Sequence, residues 1–571
     1  MRETIPSKKK RKGAREKRSR RSTRPPNLDS TTFGLFWDRL ISVTDEAYSA
    51  LIRSSFSPIV REALDATCQL FDSKGRSIAQ AWAGPPSFIG TLPTTLSEML
   101  KVIPVEDLKL GDVLATNNPW IGTGQVNDIS VILPIFGQNN REREIIAYAG
   151  AVSHLPDIGG QIWSATAGEV FEEGLQLPPV KIMQRGVFDR TIRDIISANV
   201  RLPAQTIADI MSDISSTQTM SRLLLSILRE YDLEDLEEVA DRIIETSVRA
   251  VRSELEQIPD KIGQSEVGVE GFGVDHRIFC KVSHDSQSML IDFAGTSPKS
   301  DYGINSPFVY TRAYTVYAAK CVVAPYVPNN QGTMDVFRVE APENSVLNPK
   351  PPAACGARHI MGWHAPIAVW RAMSQIVPER TIADTGLPSS CTVKGTDSKG
   401  RPFVAITVIG GGGMGARPES DGLNSTGIPT VTSHISAEVL ESTTPLLVEE
   451  LKLIPDSGGA GKFRGGLGVS YTIRNISGKP AKVAFIANKS RFPPEGLRGG
   501  APGTPRKCYV DGSEVSSMGM YALKENGTIR MDNAGSGGFY DPRGRDRASI
   551  ESDLRNGFIT RRAAAELYGY A

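Results

Sequence analysis

The hydrophobic period of this chain changes once, near residue 260, and that change limits what it can fold into. Before it, "TIADIMSDISSTQTMSRLLLSILREY" and "DLEEVADRIIETSVRAVRSELEQI" repeat their apolar residues every three or four positions, the spacing of amphipathic helices. Asp232, Leu233 and Glu234 lie between them, which predicts a helical hairpin over 202–258. From Gly263 onward the pattern is one of short segments between turn residues: "RIFCKVS", "SMLIDFAGTS", "FRVEAP", "FVAITVIGGGG", "LLVEELKLIP" and "KVAFIA", with one further helix expected over 365–375. The expected fold class is α+β, a large mixed multi-domain architecture with a helix-rich N-terminal half and a strand-rich C-terminal half.

At 571 residues the chain exceeds one ordinary core. The expected divisions are a disordered basic tail (1–30), an N-terminal domain that holds the candidate metal site and the helical hairpin (31–260), a central strand-rich domain (261–475) and a C-terminal region (476–571). Within the second of these, "FGLFWDRLISVTDEAYSALIRS" (33–54) has helical spacing. "ATCQLFDSKGRSIAQA" (66–81) reads as a β-hairpin turning at Asp72, Ser73, Lys74 and Gly75.

The formal net charge of +1 conceals an asymmetry. Residues 1–24 carry a net +10 and the remainder a net −9. A short basic run ahead of an acidic, enzyme-sized body reads as a solubilising tail or an extended start rather than a nucleic-acid site. No stretch of about 18 uncharged apolar residues occurs, so no membrane span is expected. Six scattered cysteines without a CxxC pair suit a reducing, cytoplasmic setting, and Cys355 in "AACGARH" reads as a buried thiol.

Two glycine-rich joints, "GGGGMGARPESDG" (410–422) and "DSGGAGKFRGGLG" (456–468), could cradle a phosphate, yet neither has the order of a P-loop, and tight turns are the expected reading. The segment "SHLPDIGG" (153–160) is more informative. It follows the apolar run "IIAYAGAV", so His154 and Asp157 fall where a buried strand opens into a turn. Asp128 opens another such strand, "DISVILPIF". Mixed imidazole and carboxylate groups suit Mn²⁺, Zn²⁺ or Fe²⁺, although H-x-x-D by itself is a weak signal against the alternative of a His and an Asp bonding the loop backbone.

Several irregular motifs in order, "DRLISVTDEAYSALIRSSFSPIVREALDATCQLFDSKGRSIAQ", "GDVLATNNPW", "SHLPDIGG", "EEGLQLPPVKI", "ANVRLP", "IDFAGTSP", the two glycine joints and the terminal "GGFYDPRGRDRASIESDLRNGFITRRAAAELYG", resemble the hydantoinase B/oxoprolinase family. That family includes N-methylhydantoinase B-type subunits, half of 5-oxoprolinase, and subunits of acetone and acetophenone carboxylases. The resemblance implies a hetero-oligomer in which ATP is held by a hydantoinase A-type ATPase subunit that activates a small-molecule substrate. The B-type subunit then completes the reaction beside a divalent metal (Mn, Zn or Fe). It implies Asp65, Asp128, His154 and Asp157 as ligands, and Glu173 as an acidic catalytic group.

Two departures from the family pattern stand out. Asn118 and Gln125 occupy positions where the family writes Asp and His, and its His-His pair reads Ser153-His154. A glutamine offers a carbonyl oxygen and no imidazole nitrogen. The implied function is ATP-dependent hydrolysis of a cyclic amide such as a hydantoin or 5-oxoproline. The alternatives are a carboxylase-type subunit and a non-catalytic scaffold that has lost its metal. His359 and His364, five apart in "GARHIMGWHAPIAVW", read as unrelated to one another and to the site.

Overall fold

The computed structural model of the protein describes residues 28–88, 90–138, 144–409, 411–430 and 432–570. The basic stretch 1–27, most of the expected tail, lies outside the described residues. The architecture is α+β, and the described residues form four sheets.

The N-terminal part is built on a seven-stranded antiparallel sheet formed by β1 (Ala66–Asp72), β2 (Ser77–Gln80), β3 (Val113–Thr116), β4 (Asp128–Phe136), β5 (Ile145–His154), β6 (Val180–Gln184) and β7 (Val187–Phe188). Their spatial order is β2-β1-β5-β4-β3-β6-β7. Helices Ser30–Ser54 and Pro203–Glu230 pack on one face, and Thr91–Val102 packs on the other through Leu92, Leu96 and Met99. With both faces covered, all nine residues of β4 are buried. Such strands read as continuous apolar runs without alternation, so the helix-rich N-terminal half also holds the largest sheet of the molecule.

The helical hairpin expected over 202–258 does not form. The two helices exist, Pro203–Glu230 and Glu237–Leu255, but they separate after Asp232, whose φ is +54°. The first lies on β4 and β5 and against Ser30–Ser54. It turns its polar residues inward: Asp209 accepts the Phe56 and Ser57 amides, and Asp213 accepts the Ser153 hydroxyl. The second helix still joins this core at its start, through Val239, Ala240 and Ile243. The second helix runs on to the core of the next sheet, to which it contributes Val251 and Leu255.

That next sheet has the order β11-β10-β9-β8, with β8 (Gly263–Val269), β9 (His276–His284), β10 (Met289–Asp292) and β11 (Phe337–Glu340). Helices Phe308–Val323 and His364–Met373 complete its core. Beyond it the chain alternates between two further sheets. Strands Ser389–Thr396, Pro402–Ile409, Ala481–Ile486 and Met518–Leu523 form one, and Leu446–Leu453, Val469–Asn475, Lys507–Val510, Ser513–Val515 and Thr528–Asp532 form the other. Both sheets contain strands from each side of residue 475, so the boundary expected at 475/476 cuts through both of them. Strand pairing joins residues far apart in sequence, and a composition shift cannot report it.

Candidate active site

The C-terminal end of β5 and the N-terminal end of β4 lie side by side, with Asp128 and His154 in register. Asp65, just before β1, is brought next to them, because its carbonyl accepts the His154 amide at 3.1 Å. Three of the residues singled out from the sequence therefore converge. The His154 Nδ1 atom lies 3.0 Å from Asp128 Oδ1 and 3.7 Å from Asp65 Oδ2.

Asp128 is 1 % exposed and is saturated with donors. Its Oδ1 accepts from Gln125 Nε2 (2.6 Å) and from His154 Nδ1, and its Oδ2 accepts from Thr123 Oγ1 (2.5 Å) and Arg358 Nη2 (2.6 Å). Burial by itself would raise its pKa, but the Arg358 guanidinium and the His154 hydrogen bond outweigh burial and hold it at about 2. In the neutral imidazole, an anionic Asp128 favours the tautomer with the proton on Nδ1, which leaves the lone pair on Nε2. That Nε2 is buried and has no partner.

Asp65 behaves differently. It keeps 20 % side-chain exposure. Burial raises its pKa to about 6, with His154 opposing and Asp128 adding to the rise.

Asp65, Gln125 and His154 line a cavity of about 40 Å³, room for two or three waters, with Asp128 behind its wall. Its other walls come from distant parts of the chain: Trp163, Tyr310 and Tyr314, Arg358, His359 and Trp363, Ser389 and Ser390, Thr430 and Thr432. The Trp163 ring stands 5.0 Å from His154 and 5.3 Å from His359. Its indole N–H donates to Gly356 O at 2.6 Å and to Gln125 Oε1 at 3.2 Å. His359, expected to lie away from the site, opens the short helix His359–Gly362 and faces this cavity. Burial, helped by the Arg358 charge, lowers its pKa to about 3, so it is neutral, and its Nε2 also has no partner. His364 is separate, with Nδ1 2.8 Å from Ile360 O.

The other two sequence candidates lie elsewhere. Asp157 forms a salt bridge with Arg201 at 2.6 Å and also accepts the Arg201 and Gly159 amides, so it ties the turn after β5 to the start of the helix at Pro203. Glu173 accepts the amides of Cys355 (2.6 Å) and Gly356 (2.5 Å) and does not line the cavity. Burial raises its pKa to about 8, the two amides offsetting only part of the rise. Gly356 is also the acceptor of Trp163, and Arg358 and His359 follow directly. Glu173 thus holds the turn that delivers them. Of the two departures noted from the sequence, Gln125 is inside the cluster, whereas the Ser153 hydroxyl points away from it to Asp213 at 2.7 Å.

A divalent ion needs free lone pairs converging from several side chains. Among the described residues no group of three or more His, Cys, Asp and Glu side chains is arranged to hold one. Asp128 has no acceptor site to spare, Asp157 faces Arg201, and the cationic neighbour of Asp128 is a guanidinium. The set expected from the sequence, Asp65, Asp128, His154 and Asp157, therefore does not fit a bound metal.

Arg358, His359, Trp163 and Thr123 were not legible as site residues. The only local signal was the pair Arg358-His359 standing after a Cys-Gly turn, and helical spacing arguments say nothing about such a pair.

A protein-family model described as hydantoinase B/oxoprolinase matches residues 29–542. An uncharacterised protein of Methanocaldococcus jannaschii is 27% identical over 95% of this chain and 96% of its own length. A protein of Pseudomonas sp. named as a D-/L-hydantoinase component of the B type is 25% identical over 95% of each chain. Among solved structures, the ATP-dependent caprolactamase from Pseudomonas jessenii shares the fold, with a TM-score of 0.87 at 23% identity over 95% of this chain and 96% of that one. The motifs, their order and the matched span together place this chain in the hydantoinase B/oxoprolinase family.

Proposed function

We propose that the chain is the B-type subunit of an ATP-dependent hydrolase of cyclic amides, working with an A-type ATPase subunit and completing ring opening at the His154 cavity. The observation that carries this reading is the His154 imidazole: Nδ1 is backed by anionic Asp128 and Nε2 is buried without a partner. A lone pair oriented by a carboxylate on the far ring nitrogen is the arrangement of a general base.

Resonance makes an unactivated ring amide a poor electrophile, and this gives ATP its role. The partner would transfer the γ-phosphoryl group of ATP to the ring carbonyl oxygen, releasing ADP, while the ring nitrogen loses its proton. Water then adds to the resulting imidate carbon as His154 Nε2 takes the water proton. The C=N electron pair moves onto nitrogen, which recovers that proton from His154. Collapse of the tetrahedral carbon, with its hydroxyl proton passing to the departing nitrogen, breaks the C–N bond and leaves an amine and an acyl phosphate, which a second water cleaves to carboxylate and phosphate.

In this scheme Asp65, at the open side of the cavity, orients the incoming water, and the Trp163 and Trp363 rings exclude bulk solvent. Glu173 acts through the turn at Cys355 and Gly356 as a positioning residue.

The test is reconstitution with the ATPase subunit and measurement of ATP hydrolysis with hydantoin, 5-oxoproline and caprolactam. One of them stimulating hydrolysis, with the stimulation lost in His154→Ala, is the expected result. Stimulation that requires bicarbonate would move the assignment to a carboxylase, and no stimulation by any cyclic amide would remove the reading.

A further inference from the structure

We propose that Arg358 is the resident cation of this site, standing beside Asp128 where a divalent ion would stand and receiving the negative charge that develops on the substrate oxygen. Four observations support it. The Arg358 side chain is buried in the cavity wall, and its Nη2 holds Asp128 Oδ2 at 2.6 Å. Asp128 is the only acceptor it bonds among the described residues, and its Nε has no partner, so most of its donors are uncommitted. The Tyr310 ring lies beneath the guanidinium, its centroid 4.1 Å from Cζ, a contact that helps hold the cation in place. The backbone also leaves room for it. A Cβ at Gly124, whose φ is +95°, would come within 2.6 Å of Arg358 Cδ and 2.9 Å of Tyr310 Cβ.

The donor set around Asp128 completes the argument. Thr123, Gln125 and His154 supply hydrogen-bond donors to the carboxylate, and Arg358 supplies the charge. A metal ligand must present lone pairs to the ion, yet Gln125 turns its amide N–H₂ toward Asp128 and its carbonyl oxygen toward the Trp163 indole. The side chain that departs from the family pattern is therefore used as a donor, which suits a carboxylate already paired with a fixed cation. Such a cation is preorganised and needs no solvent rearrangement as charge develops. The charge-receiving role rests on the ring-opening reading above, whereas the exclusion of a metal does not.

The first measurement separates the two. The isolated full chain is incubated with Mn²⁺, Zn²⁺ or Fe²⁺, desalted and analysed by elemental mass spectrometry beside His154→Ala. Traces only, equal in both proteins, are expected. One ion per chain in the wild type, lost in His154→Ala, overturns the proposal whether or not any cyclic amide is a substrate.

The second measurement uses the complex with the ATPase subunit. Arg358→Lys keeps the charge and loses the planar fork, and Arg358→Gln loses both. Amide-stimulated ATP hydrolysis should fall about 10-fold in the first and about 10²- to 10³-fold in the second. Because Arg358→Gln leaves Asp128 buried and unpaired, the double variant Asp128→Asn/Arg358→Gln removes both charges at nearly constant volume. It should melt near the wild type and remain inactive. Wild-type turnover in a folded Arg358→Gln or double variant overturns the proposal.

Discussion

Two regions of this molecule carry the most conspicuous irregular motifs, and they use irregular backbone for opposite ends. At the corner around "SHLPDIGG" the strand ends at His154 and opens into a turn, and side chains from widely separated segments meet in a cavity. In the loops 410–422 and 456–468 it is the backbone that meets backbone. A Cβ on Gly412 would lie 2.1 Å from the Gly386 carbonyl carbon, one on Gly466 2.1 Å from Leu423 O, and one on Gly465 2.0 Å from Ser536 O. Arg545 fastens this crossing by gripping Asp421 and Asp553 together, and Arg464 joins Asp553 from the other side. The glycines that could have cradled a phosphate are occupied by one another. A glycine cluster can thus mark chains crossing closely rather than a ligand loop, and what tells the two apart here is that neighbouring backbone already fills the space beside these glycines.

The comparison breaks most visibly if the glycine crossing tolerates side chains. Gly412→Ala should cost about 5 kcal/mol, because backbone on both sides cannot withdraw from a methyl group, and little folded protein should be recovered. Normal expression and an unchanged thermal midpoint would show that the loops part easily.

The next effect belongs to the site. His154→Gln should lower amide-stimulated ATP hydrolysis by about 10²- to 10⁴-fold. Asp128 keeps Arg358, Thr123 and Gln125 as partners, so stability should fall by only about 1–2 kcal/mol. Denaturant midpoints measured beside turnover separate the two quantities, and a large loss of stability with little loss of turnover would place His154 with the structural region.

Glu173 sits between these extremes, and its pKa gives it a pH signature. Its folded value of about 8 lies above the ordinary 4.5, so the folded state holds the proton more tightly than the unfolded chain. The stabilisation is complete below about pH 4.5 and fades as pH rises through about 8, a few kcal/mol in all. Glu173→Gln, which cannot ionise, should lose this decline and exceed the wild type in stability above about pH 8. Parallel stability curves for the two proteins across that window would refute the assignment.

The smallest effect sharpens the contrast within a single motif. Asp157→Asn weakens the Arg201 pair and should cost about 1–2 kcal/mol of stability, with turnover per folded molecule unchanged. A loss of turnover comparable to that of His154→Gln would return Asp157 to the chemistry.

Much of the fold was readable because its signals are local. The hairpin at 66–81, the helix at 33–54 and the strands that end at His154 and begin at Asp128 all follow from hydrophobic period and turn residues, and each is present. The convergence of Asp65, Asp128 and His154 was readable through the family resemblance, since spacing alone says little about residues 63 and 26 positions apart in different strands.

What the sequence by itself determined is the alphabet of elements, their α+β mixture and the family to which their order belongs. Only the tertiary structure decided that the two long helices part, that strands on both sides of residue 475 share sheets, and that Asp157 turns to Arg201 while His154 turns to Asp128. It also decided that Arg358 and His359, some 200 residues beyond β5, close the cavity. The physical reason is range. Period and turn chemistry act over a few residues, whereas the partner of a buried charge is whichever group the packing of separate cores brings within hydrogen-bonding distance.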